Sequence, residues 1–191
     1  MVYRFTIKSS ESDTFLREIR IDSTSTFLQL NDAILDSVNY THDEITSFFT
    51  VTDKDEDHEL WLQWNQEQEI TIMDMGFNRS DMDSYVMDKT YLDEFLHDEH
   101  QRLIFVFDQM TERAFYVELA EVYYGEDLDK ATCTRKKGDA PKQHVDFAKD
   151  PLAGGNDSAL FDDDSFYGSD EYEEGEIDMD SFQFTEEGGE Q

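Results

Sequence analysis

The chain has one cysteine, few cations and no long apolar run. Cys133, the single thiol, excludes an intrachain disulfide and fits a reducing compartment. Lys and Arg number 15 against 47 Asp plus Glu, for a net charge of −32. A polyanion of this kind lacks the cations that displace counterions from phosphates, so direct DNA binding is disfavoured, as is contact with anionic membranes. No window approaches the roughly 18 apolar residues of a membrane-spanning helix. The opening residues 1–8 alternate polar and apolar side chains and lack the unbroken apolar stretch of a secretory leader. The expectation is a soluble, cytoplasmic protein without membrane contact.

What the chain does contain is a body rich in aromatic residues, followed by an acidic stretch. Tyr3, Phe5 and Ile7 share one face of a strand, with Arg4, Thr6 and Lys8 on the other. Phe15, Ile19 and Ile21 form a second apolar face, interrupted by Arg17. Thr26 and Gln29 have the spacing of a capping box. Phe27, Leu30, Ile34 and Val38 follow at helical spacing, with Asn31, Asp32 and Asp36 on the wet side. Such an opening predicts an α+β domain, a mixed or antiparallel sheet that begins β-β-α.

Further strands are predicted at 47–52, 59–64, 69–73, 103–107 and around Phe115, Val117 and Leu119. The last two form a hairpin. A second helix is predicted from Tyr91 to about His97, with Leu92, Phe95 and Leu96 inward.

Several of these pieces, in order, carry a family likeness: residues 27–34, 47–49, 69–75, 92–96 and 103–108, then Cys133 and residues 138–141. With the opening hairpin they span most of residues 1–143, and the set resembles the plasmid pRiA4b ORF-3-like family. The resemblance implies a compact α+β fold, and some members are labelled passenger or resolvase-like proteins of transposable elements. It implies no catalytic activity. A serine resolvase needs a nucleophilic serine among arginines and a helix-turn-helix, and neither is visible. The chain departs from the commoner family pattern after Asp108. Gln109, Met110 and Thr111 replace an aromatic-Gly-Asp triplet, and Arg113 and Phe115 stand near an expected Trp and His.

Other constellations favour plain readings. Asp53, Asp55 and Asp57 resemble the start of a calcium loop. His58 and Trp64 occupy the positions that need glycine and a bidentate carboxylate, so a solvated turn is expected. His97 and His100 lie three apart, as zinc ligands can, but a third ligand is missing. Cys133 has basic neighbours in Arg135, Lys136 and Lys137, yet no positioned base, and a loop cysteine is expected. Those three cations with Lys142 form the chain's basic cluster, read as a solvated loop or as a partner for the chain's own acidic end. No cofactor and no metal are expected. Enzymatic activity is disfavoured. Asp108, Arg113 and Glu118, which flank the predicted hairpin, are the polar groups expected to line a pocket if one exists.

Residues 150–191 hold 15 of the 47 acidic residues and no Lys or Arg. Phe161, Phe166, Tyr167, Tyr172, Phe182 and Phe184 are interspersed among the carboxylates. Self-repulsion without Val or Leu runs predicts a disordered tail over 148–191, beyond a domain at 1–147. Rings among acids are suited to docking in a groove with a basic rim. The expected function is a noncatalytic interaction module that binds a protein partner, one with a basic or aromatic-accepting groove, through this tail. The alternatives are an accessory of a mobile element or a pocket-based small-molecule binder or enzyme.

Overall fold

A computed structural model describes residues 1–52, 65–73 and 83–144. The chain divides into two units, Met1–Val145 and Asp146–Gln191. All described residues belong to the first. The acidic-aromatic stretch, the aspartates at 53–57 and the strand expected at 59–64 lie outside the described residues.

The described residues form one eight-stranded sheet: β1 (Val2–Ser9), β2 (Ser12–Asp22), β3 (Ser47–Thr52), β4 (Asn65–Thr71), β5 (Asp83–Val86), β6 (Arg102–Asp108), β7 (Arg113–Tyr123) and β8 (Thr132–Lys137). Its order is β5-β4-β3-β6-β7-β1-β2-β8, antiparallel except for the β4–β5 pair. Among the described residues, helical structure is limited to α1 (Phe27–Val38) and the four-residue α2 (Leu92–Phe95). The α+β class expected from the opening therefore does not hold. The sheet dominates, with one helix of consequence.

The shortness of α2 accounts for part of that correction. The Gln101 side-chain oxygen accepts from the amides of His97 and Asp98, and Leu96 turns to extended backbone, so the helix stops after one turn. Beyond Leu96 no apolar side chain remains to hold a longer helix against the sheet.

Helix α1 starts where its cap residues direct. The Thr26 hydroxyl accepts from the Gln29 amide at 3.3 Å, and the Gln29 side chain accepts from the Thr26 amide at 2.9 Å. It ends at Asn39, whose left-handed backbone (φ 58°, ψ 39°) turns the chain away. Its inward side chains, Phe27, Leu30, Ile34 and Leu35, share one core with the sheet side chains Phe5, Ile7, Ile19, Phe48, Phe105 and Phe115. Rings touch along much of this core: Phe15 stacks on Phe115 at 5.1 Å, Phe115 meets Phe107 at 4.6 Å, and Phe48 meets Phe105 at 4.7 Å. Such pairs each contribute about 1 kcal/mol beyond simple burial. Alternation along β6 and β7 sends Ile104, Ala114 and Tyr116 to the opposite face. There they form a second, smaller cluster with Phe49, Val51 and Val106.

Candidate functional site

Of the three polar residues expected to line a pocket, two are neighbours and the third is set apart. Asp108 and Arg113 are register partners where β6 turns into β7. Glu118 lies five residues further along β7, opposite Arg102.

Each has an internal partner. The Asp108 carboxylate accepts from the Met110 amide (3.0 Å), the Thr111 amide (3.2 Å) and the Thr111 hydroxyl, closing the hairpin turn. Partial burial works against its charge, but those hydrogen bonds and nearby Arg113 prevail and hold the carboxyl below the usual range. Arg113 grips both oxygens of Glu11 at 2.9 Å and lies over the Phe107 ring at 5.1 Å. Glu118 accepts from His100 Nδ1 at 2.9 Å, and that bond raises the imidazole pKa. Tyr116, on the same face, is held neutral by burial, its phenol pushed up to about 12.

Arg113 also donates to the Lys142 carbonyl (2.6 Å) and the Gln143 carbonyl (3.1 Å). It is one of several groups that fasten residues 138–143 to the body. The Tyr40 hydroxyl, its pKa raised by burial, donates to the Pro141 carbonyl at 2.6 Å. The Gln143 side chain exchanges bonds with the backbone of Thr41 at 2.8 and 3.0 Å.

Arg17, the cation that broke the apolar face of β2, is the inner anchor. It is 6% exposed. Its guanidinium donates to the carbonyls of Leu16 (2.9 Å), Lys137 (2.8 Å), Gly138 (3.0 Å) and Ser37 (3.2 Å). Ser37 lies in the last turn of α1, which has no basic residue of its own, so Arg17 supplies the cation that a helix C-terminus favours. Beside it Gly138 adopts φ +65°, and a Cβ there would sit 2.5 Å from the Thr14 carbonyl oxygen. Only glycine allows that approach.

The remaining sequence motifs resolve simply. His97 and His100 do not share a helical face, because α2 ends at Phe95 and His100 has φ 69°. Among the described residues no cluster of His, Cys, Asp or Glu can hold a metal ion. Cys133 and the basic residues after it, expected in a loop, form edge strand β8. Its alternation is unreadable because both faces are largely exposed. Arg135 pairs with Glu18 at 3.1 Å, and Glu18 also meets Arg4 at 3.6 Å. The side-chain ammonium groups of Lys8, Lys136 and Lys137 make no hydrogen bond or ion pair among the described residues. A concavity of about 370 Å³ opens between the β1–β2 turn and the end of β8. Lys8, Ser12, Asp13, Thr14, Leu16 and Lys137 contribute to its walls, but none of the three expected pocket residues does. Sequence reading missed this concavity because it joins residues more than 120 positions apart. The one available signal was Arg17 on an otherwise apolar face.

Comparison with known proteins places this arrangement. The family model described as plasmid pRiA4b ORF-3-like protein matches residues 1–149. Among solved structures, the chain is similar to MM3350, a protein of unknown function from Methanosarcina mazei Go1. The TM-score is 0.51 and the identity 16%, over 71% of this chain and 68% of that one. At that identity the likeness concerns the fold alone. No curated protein matches the chain.

Proposed function

This chain belongs to the plasmid pRiA4b ORF-3-like family, and we propose that it is a noncatalytic interaction module whose segment 150–191 engages a protein partner. The observation that carries the reading is compositional: six rings set among 15 carboxylates, with no Lys or Arg. Rings lower solubility and add nothing to a simple charged bristle, whereas they serve as anchors in a partner's groove. The carboxylates would meet that groove's basic rim and steer the encounter. The internal partners of Asp108, Arg113 and Glu118 fit this reading, since groups that close a turn, fasten residues 142–143 and tie the turn before β6 to β7 serve the scaffold. The charge balance and the lone, half-buried thiol of Cys133 are in keeping with a cytoplasmic setting. Among the described residues no helix is long and apolar enough to cross a membrane.

A pulldown from native lysate tests the proposal. Bait would be the full chain, or the full chain with Phe161, Phe166, Tyr167, Tyr172, Phe182 and Phe184 changed to Ser, which keeps every charge. The substituted chain is expected to lose the partners recovered by the native one, and added salt to weaken native capture. Recovery of the same partners by both baits overturns the reading.

A further inference from the structure

Uncommitted lysines flank this end of the sheet, Lys136 and Lys137 on opposite faces of β8 and Lys8 two strands in on β1, and the geometry points to a second docking surface: the free edge of β8, near whose end the concavity opens, accepts an extended acidic segment of a protein partner by strand addition. This goes beyond the role proposed for residues 150–191 and uses none of their side chains.

Three observations meet here. First, β8 ends the sheet order and pairs only with β2 among the described residues, so its outer N–H and C=O groups face away from the sheet. An edge of this kind can take another strand, whose backbone supplies the hydrogen bonds. Second, the edge carries cations in a chain of net charge −32. Lys136 and Lys137 are exposed and unpaired among the described residues, as is Lys8. Lys137 and Lys8 line the concavity with Ser12 and Thr14, two lysines against one acidic residue, Asp13. Third, the site is held in place. Arg17 binds the Lys137 and Gly138 carbonyls, and Gly138 closes against Thr14, which sets the end of β8 beside the β1–β2 turn.

These features select the occupant. A second copy pairing edge to edge would set Lys136 and Lys137 against their own equivalents, which is how lysines guard edges. A free small anion would meet the repulsion of the whole chain with few contacts to offset it. An extended segment with alternate carboxylates overcomes both, because strand pairing adds to the charge pairing. The register shift between Glu18 and Ile19 leaves Thr134 as an extra residue in β8, so added pairing should run mainly along 135–137.

The test uses the full chain and a fluorescein-labelled synthetic decapeptide alternating glutamate with threonine, against a control with glutamine for glutamate. Fluorescence anisotropy is expected to show binding of the glutamate peptide at least about tenfold tighter than the control. Lys8→Glu with Lys137→Glu should abolish that preference, and Lys8→Gln with Lys137→Gln should reduce it; circular dichroism checks that each variant folds. Hydrogen exchange should show new protection at the outward-facing amides within residues 135–137 when the glutamate peptide is present. Equal binding of the two peptides, or no effect of either double variant, overturns the proposal. So does displacement by inorganic phosphate without any gain in amide protection, which would make the concavity an oxyanion site only. No binding at all assigns the lysines to edge protection alone and also overturns it. The chain with its six rings changed to Ser should bind the peptide as the native chain does, which separates this result from the pulldown.

Discussion

At the β6–β7 turn the polar side chains are engaged: Asp108 closes the turn, and Arg113 holds Glu11 together with the backbone of residues 142–143. At the β8 edge the cations divide. Arg17 and Arg135 have partners, whereas Lys8, Lys136 and Lys137 have none among the described residues. The engaged cations are arginines and the unengaged ones are lysines. Exposure and chain order account for the difference. Arg113 sits beside the Phe107 ring, where guanidinium packing and a bidentate carboxylate favour a fixed geometry. The β8 lysines project from an edge with no neighbouring strand, and a compact ammonium there stays hydrated. Polar groups that complete the scaffold are thus separated from the lysines that have no side-chain partner among the described residues.

The strongest way to break that comparison is to remove the residue that anchors its β8 side. Arg17 serves four carbonyls from a nearly closed site, and Arg17→Met keeps much of its stem while leaving those acceptors without donors. The expected loss is about 3 kcal/mol in equilibrium urea unfolding. Amide exchange should accelerate first in β8 and at the C-terminal end of α1, with β6 and β7 less affected. A loss below about 1 kcal/mol would mean that water replaces the guanidinium and that the edge is held by strand pairing alone.

A smaller effect is expected at the engaged turn. Asp108→Ala removes the acceptor of three hydrogen bonds, at a cost of about 1 kcal/mol at neutral pH. Since the folded carboxyl has a lowered pKa, its contribution is present above the unfolded value of about 3.9 and is lost as pH falls through the folded value. The native chain and the variant should therefore differ in thermal stability at pH 7 and converge near the acid limit. A gap that persists unchanged into acid would assign the effect to the turn backbone instead of the carboxylate.

Legibility in the sequence followed the same division. The α1 cap was readable because Thr26 and Gln29 act within three residues, and β6 because residues 103–107 are a continuous apolar run. Helix α2 was overextended, since Leu92, Phe95 and Leu96 give helical spacing but cannot reveal Gln101 capturing the amides that follow. Strand β8 has no apolar period because both its faces are exposed, and short β5 owes its strand to pairing with β4. The α+β expectation failed through those two omissions and the helix. Asp108 and Arg113 stood out as flanks of a hairpin, but Glu11 lies 102 positions from Arg113. No local pattern announces such a partner. Arg17 was the exception. A cation on an apolar strand face signals a buried polar contact even when its partners are unknown.

The smallest effect sharpens the comparison at an exposed site. His100 lies at the surface, yet Nδ1 is 2.9 Å from Glu118, and that hydrogen bond with the carboxylate charge raises its pKa above 6.5. The pairing therefore contributes fully below the unfolded value and is lost as pH rises through the folded one, the reverse of Asp108. An NMR titration of the imidazole should give a midpoint above about 6.5 in the native chain, falling toward it in Glu118→Gln. The His100 amide, which donates to the Leu119 carbonyl at 2.7 Å, should keep its exchange protection in both. A native midpoint at or below the ordinary value would show that the contact does not persist in water, and the engaged end of the sheet would then stop at the Asp108–Arg113 turn.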